Sequence, residues 1–566
     1  MADTPKRLNR VLTDLHHGGR AVGDPDTEPA AEPTAAGDAT ALADVIQEAS
    51  PPSLEVISTP FGYLFEGLKK VYPAKHLPVE PVSRVVAGLK ALGSAMVDAS
   101  PDGLPNADIP PVYTYWGQFV DHDLTANTDR DGVIGIDDDP LTPIEPALVP
   151  STLRNLREPA LNLDSVYGNG PGRPDVDGEV PYVDGVKFRI GELTPVTVPN
   201  QVAVPGEDLP RSAATGKARI ADSRNDENLI VAQLHLAFLK FHNAAVDWVV
   251  TNEPHIIDTH ARFVRARELT RWHYQRIVVE DFLRTVALDS AVDEALAMPE
   301  QVVNGRGEVF MPLEHSVAAY RFGHSMVRAQ YDHNENFGRT LDGTERNPVA
   351  RASFAQLFQF TGNGTIKGDA AQGRTESKTL PDNWPIRWKR FTDKDAPDRF
   401  ARRIDTQLAP PLTDLSNEGN GPRFDVRVRR ILKRLAVRNL LRGCRLGLPT
   451  GQAVADALGA EPLTEAELLD GAQGVADALL DGGFLKATPL WFYVLKEAEV
   501  REQGQRLGEV GSRIVCATIV GQVKADDDSY LNRPGQAWTP AEGVKLTTGG
   551  EVNSIKTFLE FAGVLI

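Results

Sequence analysis

The sequence predicts a mainly α-helical protein with short β-hairpins and long loops. Three observations lead there. From Asp226 onward, apolar residues recur at helical spacing through most of the chain. No repeat of fixed period occurs, nor any alternation of strand and helix that would build a parallel sheet. Residues 150–220 are rich in Gly, Pro and Asp and read as long loops, which in a compact protein serve a site or wrap the core.

In chain order, residues 1–52 are rich in Ala, Pro, Asp, Glu and Gly and poor in aromatics. That is the composition of a disordered N-terminal extension, with at most a short helix near residues 6–16. The folded part begins near Phe61. Val82, Val86, Leu89 and Leu92 mark a helix over residues 78–97, and residues 115–125 (Tyr-Trp-Gly-Gln-Phe-Val-Asp-His-Asp-Leu-Thr) a second. An acidic, turn-rich run follows at residues 129–140. Tyr182-Val-Asp-Gly-Val-Lys-Phe188 reads as a hairpin with Asp184-Gly185 as its turn. Long helices are expected at 228–250 and 262–286, and further ones at 314–331, 354–360, 426–441, 452–458, 465–474 and 511–523. The last residues, 558–566, are broken by Glu560 and Gly563 and read as a packed tail.

Whole-chain properties narrow the function classes. The 566 residues permit a large core and, on length alone, roughly three or four domains. Lys+Arg 60 against Asp+Glu 78 gives a net charge of −18, which argues against non-specific binding to nucleic acid or anionic membrane. Cys444 and Cys516 are the only cysteines, so no disulfide framework holds the fold. The N-terminal Met-Ala-Asp-Thr-Pro-Lys-Arg has no apolar run behind its basic residues. That argues against a Sec signal and for a cytoplasmic location, with non-classical export left open. No window approaches 18 consecutive apolar residues, so no membrane span is expected.

Five windows carry polar groups in places where a purely structural helix does not need them. In residues 115–125, Gln118 and His122 are i and i+4 and share a helix face, while Asp121 and Asp123 flank it. Read alone, the window equally describes a helix with solvated acids and a core histidine. In Glu158-Pro-Ala-Leu-Asn-Leu-Asp164, oxygen-bearing side chains recur at 158, 162 and 164, a spacing compatible with a calcium loop but also with an ordinary polar turn. Asp222 or Ser223 can cap the long helix that follows, with Arg224 and Glu227 at the junction. His324 sits in an apolar context beside Gly323, where a small residue lets a planar group approach the backbone. Asn439 and Arg442 are i and i+3 on a helix that stops near Gly443.

Together, Gln-x-x-Asp-His-Asp, Arg-x-x-Glu, Arg-x-Gly-His and Asn-x-x-Arg-Gly, in that order, resemble the animal-type haem peroxidases. This is the superfamily of myeloperoxidase, lactoperoxidase, peroxidasin and, more distantly, the cyclooxygenases. The likeness runs over roughly residues 60–560, in a bacterial-style form. It implies one large haem peroxidase domain over 53–566 and haem b as cofactor. His122 falls at the distal histidine, Gln118 at the distal glutamine, Arg224 at the distal arginine and His324 at the proximal iron ligand. Asn439 matches the asparagine that bonds the proximal imidazole, and Arg321 and Arg442 match positions near the haem propionates. Asp121 and Glu227 match the carboxylates that form haem esters, and the calcium ligands would be Asp123, Glu158, Ala160, Asn162 and Asp164. Departures are visible too. Asn228 replaces the methionine of the third haem link, Asn162 and Asp164 stand in for the usual Asp and Ser, and Glu158 stands for a threonine.

The implied function is reduction of hydrogen peroxide via a ferryl intermediate, with oxidation of halides or small phenolic donors. His122 would shuttle the proton, Arg224 would stabilise charge as the O–O bond breaks, and Gln118 would hold water or halide. Two other classes compete. A cyclooxygenase-like fatty-acid dioxygenase needs a tyrosine three residues before the proximal histidine. That position is Arg321, and Tyr320, one residue off, is expected to point elsewhere. A non-enzymatic haem-binding protein would not need Gln118, His122 and Arg224. Preferred donor and oligomeric state are not encoded legibly.

Overall fold

The computed structural model describes residues 7–8, 55–56, 59–72, 75, 77, 81–100, 106–126, 135–149, 153–158, 160–171, 180–298, 309–338, 351–361, 378–392, 400–415 and 430–565. The expectation of disorder over 1–52 (apart from residues 7–8), the first half of the 129–140 run and the start of the 426–441 helix lie outside the described residues.

The chain is organised around the 24-residue helix Leu229–Asn252. Asn228 caps it, its Oδ1 accepting from the amides of Ile230 and Val231. The helix is apolar on nearly every side and buried along most of its length, as a helix inside a large protein must be. By length and hydropathy it could cross a membrane, but 83% of its most apolar window is buried against the rest of the protein.

Numbered in chain order, the principal helices are α1 (Val82–Ala95), α2 (Val112–Leu124), α3 (Leu229–Asn252), α4 (Thr259–Ile277), α5 (Leu435–Arg445), α6 (Leu490–Arg501) and α7 (Glu509–Ala525). α4 continues through a π-helical turn, Val278–Phe282, into Leu283–Val286. α2 docks on α3 and α4 through aromatic rings. Phe119 stacks on Phe238 at 4.2 Å between centroids, and Trp116 lies 5.4 Å from Phe238 and 5.9 Å from Tyr274. Each such ring buries about 150–250 Å², and their geometry adds about 0.5–1.5 kcal/mol per pair. With Trp116, Phe119 and Val120 turned into the core, helical periodicity forces Gln118, Asp121 and His122 onto other faces.

The opposite side is built by residues 314–326, α5 and α6. α5 packs on α1 at Gly93, where a Cβ would come within 2.8 Å of the Val437 amide nitrogen. α7 starts on the buried carboxylate of Glu497, which accepts from the amides of Val510 and Gly511. One hydrophobic core runs from Phe61 to Ala562.

Strands are marginal. Thr59–Gly62 pairs antiparallel with Arg154–Asn155 and parallel with Met311–Pro312. The expected hairpin is present, Tyr182–Val183 against Lys187–Phe188, with Asp184 and Gly185 both at positive φ as a tight hairpin turn requires. Both cysteines are buried free thiols.

The expected helix over 314–331 is a correction. It is a π turn (Glu314–Ala318), a 3-10 turn (Ala319–Phe322) and one α turn (Gly323–Met326), followed by the strand Gln330–Tyr331. The helix expected over 465–474 spans only Glu465–Leu469. α6, unforeseen, is buried on every side over Leu490–Ala498 and so lacks the polar stripe that marks an amphipathic helix. The expected packed tail includes the helix Ile555–Phe561, and its Phe558 stacks on Phe241 at 4.1 Å.

Candidate active site

α2 and residues 320–327 face each other across a pocket that encloses about 950 Å³ of empty space, open solvent included. Gln118, Asp121 and His122 line it from α2, and Glu227 and Asn228 from the turn before α3. Arg321, Gly323 and His324 line it from the far side. Phe282, Phe354, Phe358, Leu412, Leu415 and Leu435 make much of the rest apolar.

His122 is buried, and its Nδ1 lies 2.8 Å from Asn225 Oδ1. Asn225 in turn places its Nδ2 3.0 Å from His235 Nδ1. With Asn225 Oδ1 able only to accept, His122 carries its proton on Nδ1 and keeps a lone pair on Nε2. Burial first, and the nearby Arg224 guanidinium second, hold the imidazole below its ordinary pKa of 6.5. His122 is therefore neutral and basic at neutral pH. Asn225 was not singled out by the sequence reading, although it sits beside Arg224 in the quoted window. Its signal was an amide-bearing residue in a turn that becomes buried.

Gln118 is held at both ends. Its Nε2 donates to Glu227 Oε2 and its Oε1 accepts from Asn228 Nδ2, each at 3.2 Å. Asp121 accepts from Thr125 Oγ1 at 3.0 Å. Arg224 departs from expectation, being absent from the cavity lining and engaged with other partners. Nε and Nη2 bind Asp222, and Nη2 also donates to the His122 carbonyl at 2.8 Å. Asp222 is drawn well below the usual carboxylate range by Arg224 and Arg157, against the effect of its burial, and this pairing outcompetes an exposed cavity position.

On the opposite wall, the Asn439 amide lies 3.0 Å from His324 Nδ1. Asn439 Oδ1 is buried without a partner. A half-turn of that amide puts Oδ1 on Nδ1–H and leaves His324 Nε2 as a ligand. Arg321 donates from Nε to Ser316 O at 2.9 Å, and Trp491 of α6 donates to the Arg321 carbonyl at 3.2 Å. Arg442 is a further departure, being fully buried within α5 and absent from the cavity lining. Tyr320 departs in the other direction. Its ring lines the cavity and its hydroxyl donates to Gly117 O at 3.2 Å. The change from π to 3-10 to α geometry over 314–326 removes the regular helical offset on which the expectation rested.

Comparison with known proteins bears on this geometry. A sequence profile described as Animal haem peroxidase matches residues 188–366, the span that holds Arg224, Glu227, Arg321 and His324. Over those residues the chain is similar to the animal haem peroxidases. The fold is similar to that of Peroxidase A from Dictyostelium discoideum, with a TM-score of 0.51 at 16% identity over 89% of this chain and 95% of that one. Fatty acid alpha-dioxygenase from Arabidopsis thaliana superposes with a TM-score of 0.42 at 13% identity, covering 90% of this chain and 75% of that one. The Oryza sativa enzyme does so with a TM-score of 0.45 at 13% identity, covering 78% and 72%. No curated protein matches the chain.

The profile match points to haem, and the residues present fit it. The cavity has a histidine on each of two facing walls. A Cβ at Gly323 would meet nothing within 4 Å, so the backbone beside His324 is open to a planar group. The expected calcium ligands are engaged with partners inside the protein. The carboxylate of Asp123 faces donors, accepting from Leu163 N at 3.2 Å and from Ser165 Oγ at 2.8 Å. The Ala160 carbonyl accepts from Gln275, Asn162 Oδ1 from the Asp164 amide, and Glu158 from Asn162 Nδ2. Asp164 is paired with Arg157. Among the described residues, no group of three or more His, Cys, Asp and Glu side chains is placed to hold a metal ion.

Proposed function

We propose that this chain is a haem peroxidase that reduces hydrogen peroxide and oxidises small phenolic or other organic donors or halides. The observation that carries the reading is the pairing across one cavity. His122 is oriented by Asn225, His324 by Asn439, and both face the same space. Haem held there supplies an iron with one open coordination position and a ring that can store oxidising equivalents.

The chain's own residues do the rest. His324 would hold the iron through Nε2, with Asn439 setting its tautomer and plane. His122 Nε2 would accept a proton from hydrogen peroxide and return it to the outer oxygen as the O–O bond breaks, so that this oxygen leaves as water, the two electrons for that cleavage being what bound haem would supply. Such acid–base help is worth on the order of 10²–10⁴ in rate. Arg224 acts through His122, by gripping its carbonyl and disfavouring its protonation. Gln118, pinned by Glu227 and Asn228, is the amide that holds water or a halide beside the peroxide. Asp121 and Glu227 are the carboxylates for ester attachment of haem, and Arg321 is the cation for a propionate.

The test is peroxide-dependent oxidation of a phenolic donor by the purified haem-loaded protein. Turnover that requires peroxide and falls in His122→Ala supports the reading; oxidation independent of peroxide, or unchanged in that variant, contradicts it. A second reading, fatty-acid dioxygenase, is favoured by the Tyr320 ring in the cavity and by the apolar lining. Oxygen uptake with linoleate or arachidonate and no added peroxide would select it.

A further inference from the structure

The loop after Arg157 is built in an unusual way. Leu161 and Leu163 both adopt left-handed backbone conformations, with φ of 49° and 61°, and both are fully buried. Non-glycine residues hold such conformations only where their surroundings enforce them. Here the twist turns the amides of Leu163 and Ser165 toward the Asp123 carboxylate on α2, at 3.2 and 3.4 Å. The loop therefore grips an anion with N–H groups.

The balancing cation is a side chain. Arg157 is 2% exposed. Its Nη1 lies 3.3 Å from Asp164 Oδ2, and its Nη2 pairs with Asp222. Asp222 also binds the Arg224 guanidinium and accepts from the Arg224 amide at 3.0 Å. Arg224 Nη2 ends the chain of contacts on the His122 carbonyl. The backbone of Arg157 is anchored as well, its carbonyl accepting from Thr59 Oγ1 at 2.9 Å. Its amide donates to Asn155 Oδ1, which also accepts from Ala126 N, just past the end of α2. A planar guanidinium presents its forked donors in a fixed geometry suited to bridging two carboxylates at once.

We propose that Arg157 is the internal cation that locks the 158–165 loop to α2 and, through Asp222 and Arg224, positions His122, so that the distal side is held without a divalent metal ion. Arg157 touches neither substrate nor cofactor in this arrangement and is a positioning residue. The inference rests on the peroxidase reading for the role of His122, but not for the lock itself.

The test uses the purified haem-loaded protein, with metal content measured before and after exhaustive chelation with EGTA. Wild type is expected to keep its Tm, its Soret band and its rate of reaction with peroxide once shown to be calcium-free. Arg157→Met is expected to slow the peroxide reaction by roughly tenfold to a hundredfold, the scale of a misplaced catalytic group, while KM for the donor stays within twofold. It should also move the acid limb of the pH–rate profile, because Arg224 and Asp222 no longer sit as they did beside His122. Arg157→Lys should recover part of the rate. Loss of wild-type Tm or peroxide rate on chelation, restored by calcium, overturns the proposal; so does an Arg157→Met protein with unchanged rate and pH profile. Should Arg157→Met fail to fold, the chelation arm on wild type and the Arg157→Lys rate and pH profile still decide. A wild type that does not react with peroxide at all would sink the peroxidase reading, and the Tm response to EGTA would still report on the lock.

Discussion

His122 shows how much of the site's chemistry lies in a neighbour's neighbour. Its Nδ1 is committed to Asn225 and its Nε2 is left basic, while burial and Arg224 hold its pKa below 6.5. A depressed pKa means that the neutral form persists as pH falls through 6.5 and is lost only further down. The peroxide reaction should accordingly stay flat from pH 8 to below pH 6.5 and decline in more acidic solution. A stopped-flow profile whose midpoint lies above 6.5 would contradict this placement of the base. Asn225→Leu, which cannot accept the Nδ1 proton, should slow the same step about tenfold to a hundredfold, the scale typical of groups that orient a reacting imidazole. At this scale the sequence was informative where a motif named a type and a spacing. Gln118, Asp121, His122, Glu227, Arg321 and His324 all meet at one cavity, with Asn439 directly behind His324. It failed where partner choice decides orientation. Arg224 prefers Asp222, Arg157 takes Asp164, and neither preference leaves a mark on spacing.

Among elements, the contact of α1 with α5 sets the proximal side. Glycine to alanine inside a helix is usually favourable by about 1 kcal/mol. At Gly93 the added Cβ would sit 2.8 Å from the Val437 nitrogen and 2.9 Å from its Cα, and backbone cannot swing aside as a side chain can. Steric cost should win, so Gly93→Ala is expected to lose about 1–3 kcal/mol in reversible unfolding. It should also perturb the haem spectrum, because Asn439 is two residues beyond Val437. A variant as stable as wild type would show that α5 can shift without cost. A helix with one buried face, such as α1, was legible from apolar spacing alone. α6 was not, because a helix buried all round carries no periodic polar signal. The 314–326 segment was misread as one long helix for a different reason. Its π and 3-10 turns are imposed by packing around Tyr320 and His324, and local propensity does not encode them.

Across the described residues, a large hydrophobic core surrounds a cavity between α2 and residues 320–327. The mainly helical class was legible from sequence; the placement of the cavity was not, since it depends on contacts far apart in the chain. A cavity shaped for a cofactor ties stability to occupancy. Haem binding the folded state alone should stabilise it by about 2.7 kcal/mol at a free concentration one hundred times Kd, so haem-loaded protein should melt above haem-depleted protein, and His324→Ala should lose most of that difference. Equal melting temperatures would mean that the cavity does not take haem. The most direct measurement is stopped-flow absorption of the purified haem-loaded protein mixed with one equivalent of hydrogen peroxide, wild type beside His122→Ala. The account predicts a Soret band in both, shifting on mixing and returning with a phenolic donor, with the shift about 10²–10⁴ slower in the variant; a wild-type band indifferent to peroxide, or a variant as fast as wild type, would contradict it.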